Sequence, residues 1–259
     1  MPDWIVVVIL GIIEGITEFL PVSSTGHLLL AEHWLGARSE VFNVVIQTGA
    51  VVAVLAVFAG RAKALAFGWR EPANRDYLAK LGVAFLLTAI GGIAMKKLGM
   101  KLPKEVAPIA WATLIGGVLF VAVEAWLRKR TPTEAVTWTV AIAVGLAQLV
   151  AVAFPGASRS GTTILIALVL GLSRSSAAEF SFLLGIPTLL AAGAKETLDA
   201  MKGHASHEPW SMILLGTVVA AATAFVVVKW LLGYVRNHTF TPFGYYRIAV
   251  GIAILILLH

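Results

Sequence analysis

The sequence predicts an all-α polytopic membrane protein built from two inverted-topology repeats, each a re-entrant helix-loop-helix hairpin followed by three transmembrane helices. Three observations predict it. Hydrophobic residues make up 59% of the 259, only 13% are charged, and mean hydropathy is +0.88, which excludes an ordinary soluble domain. Apolar runs near the ~20 residues needed to cross a bilayer recur from end to end. A broken, hydroxyl-rich apolar segment occurs twice, about half the chain apart. One membrane domain is expected over residues 1–259, with repeat one at about 1–130 and repeat two at about 134–259. The charge of +6 resides in short loops, which implies topology and anionic headgroup contact and gives no reason to expect nucleic acid. Without cysteine there is no disulfide framework or thiolate metal site. Met1-Pro2-Asp3-Trp4 is acidic and no cleavage pattern follows, so the N-terminus is expected to be retained.

The first helix, about residues 4–20, breaks at Pro21, and the next apolar run, Leu28 to Leu35, is too short to cross. Two short segments joined by a Ser/Gly loop predict a re-entrant hairpin, tolerated at depth only where protein or a wet cavity surrounds it. Spanning helices are expected at about 41–59, 78–96 and 106–127, separated by the charged stretches Arg61 to Asp76, Lys96 to Glu105 and Arg128 to Glu134. Asn43 and Gln47, four apart, point inward for helix–helix hydrogen bonding or for site duty.

From about 138 the pattern returns. Placing Gly11 on Gly145 sets Glu14 against Gln148, Pro21 against Pro155 and Ser24 against Ser158, an offset of 134. The second half then gives a short pair at about 138–154 and 162–171, and longer helices at about 177–194, 210–232 and 243–258. An odd number of crossings per half inverts the second copy, and inverted repeats bring their discontinuous helices together near the midplane. Basic residues are slightly more numerous in the loops holding Arg61, Arg70, Arg128, Lys129 and Arg174, a weak bias that makes that side cytoplasmic and turns the first hairpin's mouth outward. Trp4, Trp34, Trp69, Trp126 and Trp210 lie near segment ends as interfacial anchors.

Glu14 and Glu18 stand one turn apart on one helix face. At membrane depth two ionised carboxylates cost very roughly 5–7 kcal/mol. They require a cation, a basic residue from elsewhere, or a shared proton. The second break, Pro155-Gly156-Ala157-Ser158-Arg159-Ser160-Gly161-Thr162-Thr163, offers the converse chemistry. Backbone N–H groups at a new helix start, the hydroxyls of Ser158, Ser160 and Thr163, and the Arg159 fork make an anion site suited to phosphate oxygens. Carboxylates alone would repel a phosphate, whereas carboxylates holding a divalent cation, with arginine opposite, would clamp one. This requires the acids and Arg159 to lie within about 15 Å, given phosphate and metal contacts near 2–3 Å. His27 adds a proton-transfer group. His204, His207 and Glu208 have ligand-like spacing but fall in a polar loop and read as solvated, and Glu124 and Glu179 read as interfacial.

Glu14-xxx-Glu18 with Pro21-Val22-Ser23-Ser24-Thr25-Gly26-His27, together with Pro155 to Thr163, resembles the two signature regions of the bacterial undecaprenyl pyrophosphate phosphatases, also called bacitracin-resistance proteins. The resemblance covers essentially the whole chain. It implies an integral plasma-membrane enzyme, active on the outer side, that removes the terminal phosphate from a C55 polyprenyl pyrophosphate and returns the carrier lipid to peptidoglycan synthesis. It also implies dependence on Mg²⁺ or Ca²⁺. Carried over by position, Glu14 and Glu18 match the acid motif, with Glu18 also catalytic. Ser23, Ser24 and His27 match the first loop, and Ser158, Arg159, Ser160, Gly161 and Thr163 the second. The nucleophile can be Ser24 activated by His27, His27 itself, or a water activated by His27 or a carboxylate. The expected partners are the polyprenyl pyrophosphate and membrane lipid, and the chain is compatible with a homodimer. The rival reading is a polyprenyl-phosphate or anion transporter or flippase, since inverted repeats with broken helices are also transporter architecture.

Overall fold

A computed structural model describes residues 1–100, 105–204 and 208–258. Helices dominate the described residues: α1 (Asp3–Thr17), α2 (Ser24–Leu35), α3 (Glu40–Val57), α4 (Ala59–Phe67), α5 (Pro72–Lys97), α6 (Val106–Leu127), α7 (Trp138–Ala153), α8 (Arg159–Val169), α9 (Arg174–Asp199), α10 (Trp210–Tyr234) and α11 (Thr241–Leu257). A π-helical turn, Ala200–His204, extends α9. Among the described residues five helices are long and apolar enough to cross a bilayer, namely α3, α5, α6, α10 and α9 with its extension. α11, at 17 residues, is slightly shorter. Leu86, Ile90, Leu214 and Val226 stay exposed on these helices, as lipid-facing positions do. The protein is an all-α polytopic membrane protein.

Two short pairs, α1–α2 and α7–α8, stand where the two broken segments are expected. α2, α5 and α8 each begin a few residues earlier than their apolar runs, because the opening turns (Ser24 to His27, Pro72 to Tyr77, Arg159 to Thr162) are polar yet helical. Pro72 at the first turn of α5 is preset for this. α4 is a correction to the expected charged connection. Ala-Gly-Arg-Ala-Lys-Ala-Leu-Ala-Phe is rich in strong helix formers, and Leu65 is buried on one side.

The two halves pack reciprocally. α1 lies on α10, α7 on α5, α3 meets α9, and α6 meets α11, so each hairpin's leading helix packs on a middle helix of the other half. Small residues permit the close approaches: a Cβ on Gly15 would stand 2.6 Å from the Ala220 carbonyl, and one on Gly145 2.7 Å from that of Ala84. Glu124 lies near the end of α6. It is 1% exposed, accepts from Arg174 Nε (2.9 Å) and from the Phe240 backbone N–H (2.8 Å), and so pins α6 to α9 and to the start of α11. Glu179 pairs with Arg61 at 3.1 Å.

Candidate active site

α1 ends at Thr17, and the turn that follows delivers Glu18, Ser23 and Ser24 to the protein interior. Ser23 is the N-cap of α2, its Oγ accepting from the Gly26 N–H (3.3 Å), and it holds φ +75°. Ser158 does the same for α8, accepting from the Gly161 N–H (3.0 Å) at φ +71°. A left-handed backbone at a non-glycine residue persists only where the surroundings over-determine it. The cap geometry therefore matches Ser158 to Ser23 and Arg159 to Ser24, an offset of 135. The offset of 134 that pairs Ser24 with Ser158 slips by one at the loop, because the second loop has one more residue between proline and cap.

Ser24 and Arg159 are thus the first residues of two helices, and Glu18 joins them. Its Oε2 accepts from Ser24 Oγ (2.8 Å), and its Oε1 accepts from Arg159 Nη2 (3.0 Å). The carboxylate is 7% exposed and faces two helix N-termini, whose free N–H groups favour negative charge. The acid motif and Arg159 are in direct contact, far inside the 15 Å that a shared pyrophosphate requires. Arg159 also donates Nη1 to the Ser181 carbonyl (3.2 Å) and stands over the Phe19 ring (5.1 Å from its centroid). Gly185 leaves room for the guanidinium, since a Cβ there would be 2.3 Å from Nη1. Arg159 Nε is buried without a partner among the described residues.

The remaining hydroxyls divide by task. Ser160, fully buried, donates to the Glu18 and Leu20 carbonyls (3.2 and 3.1 Å), so it ties the two loops together. Thr163 hydrogen-bonds the Arg159 carbonyl (2.8 Å) and Ser181 Oγ (2.6 Å), buttressing the first turn of α8 from behind. A cavity of about 190 Å³ opens beside Glu18, Ser24, Ser158 and Arg159, and Gln47, Thr88, Gln148 and Thr188 complete its polar wall. Of the two inward-pointing residues of α3, Gln47 lines this cavity and Asn43 does not.

His27 is placed differently from the Ser24–His27 pairing. Its Nδ1–H donates to the Ser23 carbonyl (2.7 Å), which leaves Nε2 to accept the Tyr246 hydroxyl (2.8 Å), and the two rings stack with centroids 5.5 Å apart. Ser24 is one turn away but bonds to Glu18 instead.

Glu14 is fully buried, and among the described residues only the neighbouring Glu18 carboxyl stands by its carboxylate oxygens as a hydrogen-bond partner. Two buried carboxylates one turn apart are a donor set that a divalent cation would fit, or that one shared proton would satisfy. Among the described residues no group of three or more His, Asp or Glu forms a self-sufficient metal site. His207 lies outside the described residues, and Glu208 is engaged by Arg38 (3.1 Å) and by Ser39 at the start of α3.

Sequence reasoning did not single out Tyr246 and Arg247. The available signal was an arginine inside the apolar run of α11, where an ionisable residue marks a site by default.

The model of the bacitracin resistance protein BacA family matches residues 7–253. Among curated relatives, a protein of Xylella fastidiosa is 55% identical over 248 residues, covering 95% of each chain. One of Rhizobium etli is 53% identical over 255 residues, covering 98% of this chain and 96% of its own. One of Xanthomonas euvesicatoria is 53% identical over 260 residues, covering all of this chain and 98% of its own. Each bears the name undecaprenyl-diphosphatase. Matched over nearly its whole length, the chain belongs to the BacA family of bacitracin resistance proteins.

Proposed function

We propose that this protein hydrolyses undecaprenyl pyrophosphate to undecaprenyl phosphate and inorganic phosphate. It would thereby recycle the carrier lipid for cell-wall synthesis and confer bacitracin resistance, as a multi-pass protein of the bacterial plasma membrane with its site on the outer face. The observation that carries the reading is the Glu18 carboxylate held between the Ser24 hydroxyl and the Arg159 guanidinium. The names of relatives above 50% identity support the substrate. Reciprocal packing of the two hairpins supports an inverted relation between the halves.

Ser24 Oγ attacks the terminal phosphorus as its proton passes to Glu18 Oε2, the acceptor already in place at 2.8 Å. The bond from phosphorus to the bridging oxygen breaks, and the lipid monophosphate leaves with that electron pair. Water then attacks the phosphoserine and leaves its protons on the departing phosphate, the Ser24–phosphorus bond breaks, and the Ser24 oxygen takes its proton back from Glu18. Arg159, with its unpartnered Nε, and the N–H groups opening α8 bind the equatorial oxygens over which charge spreads. Glu14 and Glu18 would hold Mg²⁺ or Ca²⁺, which when bound neutralises pyrophosphate charge. His27 stiffens the Ser23 turn from which Ser24 projects.

Detergent-purified protein tests the proposal. Phosphatase action releases one phosphate per undecaprenyl pyrophosphate in micelles, where no compartments exist. A transporter or flippase would leave the pyrophosphate intact there.

A further inference from the structure

α11 contributes two adjacent residues to the site from the opposite end of the chain. Arg247 is 0% exposed, and its guanidinium contacts five backbone carbonyls. Nη1 donates to Pro21 of the first loop (3.1 Å). Nη2 donates to Gly156 (3.2 Å) and Ala157 (3.0 Å) of the second loop, and weakly to Ala112 (3.4 Å) of α6. Nε donates to Thr113 of α6 (3.1 Å). No carboxylate pairs with it among the described residues, although burying a cation is costly unless it is compensated. Space is reserved for it: a Cβ on Gly116 would lie 2.1 Å from Nη2 and one on Gly161 2.8 Å from Nη1. The residue before it, Tyr246, holds His27 Nε2 and is half exposed.

Three of the five carbonyls that Arg247 collects, those of Pro21, Gly156 and Ala157, belong to the two segments that turn sharply before the left-handed caps Ser23 and Ser158. A segment leaving helical geometry has carbonyls without helical partners, and at membrane depth water is not there to satisfy them. One planar fork satisfies carbonyls of both loops at once and so fixes the distance between them, which a flexible ammonium with three donors cannot reproduce. That distance sets the register of Ser24 and Glu18 against Arg159. The uncompensated charge also lies directly behind the loops that would receive a polyanionic substrate.

We propose that Arg247 is a positioning residue of the phosphatase site, clamping the two catalytic loops in register and lending its positive charge to the bound pyrophosphate, and that Tyr246 is a second, orienting His27. This rests on the proposed pyrophosphate hydrolysis. Arg247 reaches neither the cavity wall nor Ser24, so it acts through the loops.

The test compares parent, Arg247→Lys, Arg247→Met and Tyr246→Phe as purified full-length proteins. Folded fraction is measured by size-exclusion profile and thermal unfolding, and kcat and KM with undecaprenyl pyrophosphate are expressed per folded protein. Arg247→Lys keeps the charge and loses the fork, so kcat falls about 100-fold, the cost of a misplacement of order 1 Å, with KM changed less than threefold. Arg247→Met loses both, so KM rises about tenfold or more in addition. Tyr246→Phe unfolds at the parental temperature and loses about tenfold in kcat. Parental kcat in Arg247→Lys overturns the clamp, as does a loss that vanishes on correction for folded fraction. If Arg247→Met does not fold, the lysine variant decides between clamp and charge alone. Parental kcat in Tyr246→Phe overturns the role of Tyr246. A parent without turnover refutes the hydrolytic reading itself, a result distinct from each of these.

Discussion

Replacing Glu18 with glutamine isolates what the carboxylate does, because the amide has the same shape and two unlike ends. In the parent both oxygens accept, one from Ser24 and one from Arg159. In the variant the NH₂ end must face a donor. Arg159 cannot accept, so the amide oxygen turns to Arg159 and the NH₂ turns to Ser24, whose hydroxyl can rotate and accept. The loop-to-loop bridge survives as a hydrogen bond from the charged guanidinium to a neutral amide oxygen, weaker by about 1 kcal/mol than the ion pair. The buried, 12%-exposed Arg159 loses its counter-charge, at a stability cost of about 1–3 kcal/mol. The acceptor for the Ser24 proton disappears altogether. Loss of a positioned general base lowers the rate by about 10²–10⁴, equivalent to about 3–5 kcal/mol of barrier. Arg159, no longer paired, remains free for phosphate, so KM should hold or fall. Phosphate release from undecaprenyl pyrophosphate, at saturating cation and per folded protein, should therefore show kcat down at least 100-fold with KM not raised. A kcat within tenfold of the parent would refute Glu18 as proton acceptor.

Three further outcomes follow. A chelator should abolish phosphate release, added Mg²⁺ or Ca²⁺ should restore it, and Glu14→Gln should raise the cation concentration for half-maximal turnover about tenfold (~1.4 kcal/mol), read from a cation titration. Glu124→Gln, which removes the charge opposite Arg174 and Phe240 far from the cavity, should cost about 3 kcal/mol in unfolding while leaving kcat per folded protein unchanged.

Much of the site was legible in the sequence because breaking an apolar helix has few local solutions. Proline, glycine and serine at both breaks announced the two hairpins, and acids in one with arginine in the other announced that the breaks meet. The 3.0 Å contact of Glu18 with Arg159 is that expectation made concrete. Hydroxyl-rich composition was less informative, since it does not reveal which hydroxyls are already engaged. Ser160 and Thr163 satisfy neighbouring carbonyls and Ser181, and Ser158 caps the Gly161 N–H, while Ser24 lines the cavity with its hydroxyl on Glu18. Proximity in sequence coupled His27 to Ser24, but the imidazole reaches back one turn to the Ser23 carbonyl, which also accepts the His27 backbone N–H. Arg247 escaped notice because hydropathy over a window dilutes one arginine among the apolar residues of α11. Its partners are backbone carbonyls, which leave no trace in side-chain patterns. The helical start of α5 and all of α4 were hidden the same way, as charged residues that are good helix formers.

If Ser24, activated by Glu18 and facing Arg159, makes the bond to phosphorus, removing its hydroxyl should stop turnover. Turnover of undecaprenyl pyrophosphate by Ser24→Ala, purified in detergent and matched to the parent in thermal unfolding, tests it most directly. Less than about 1% of parental phosphate release is expected, the loss that follows when a nucleophile and its proton path are removed. Phosphate release close to the parental rate in that variant would contradict it.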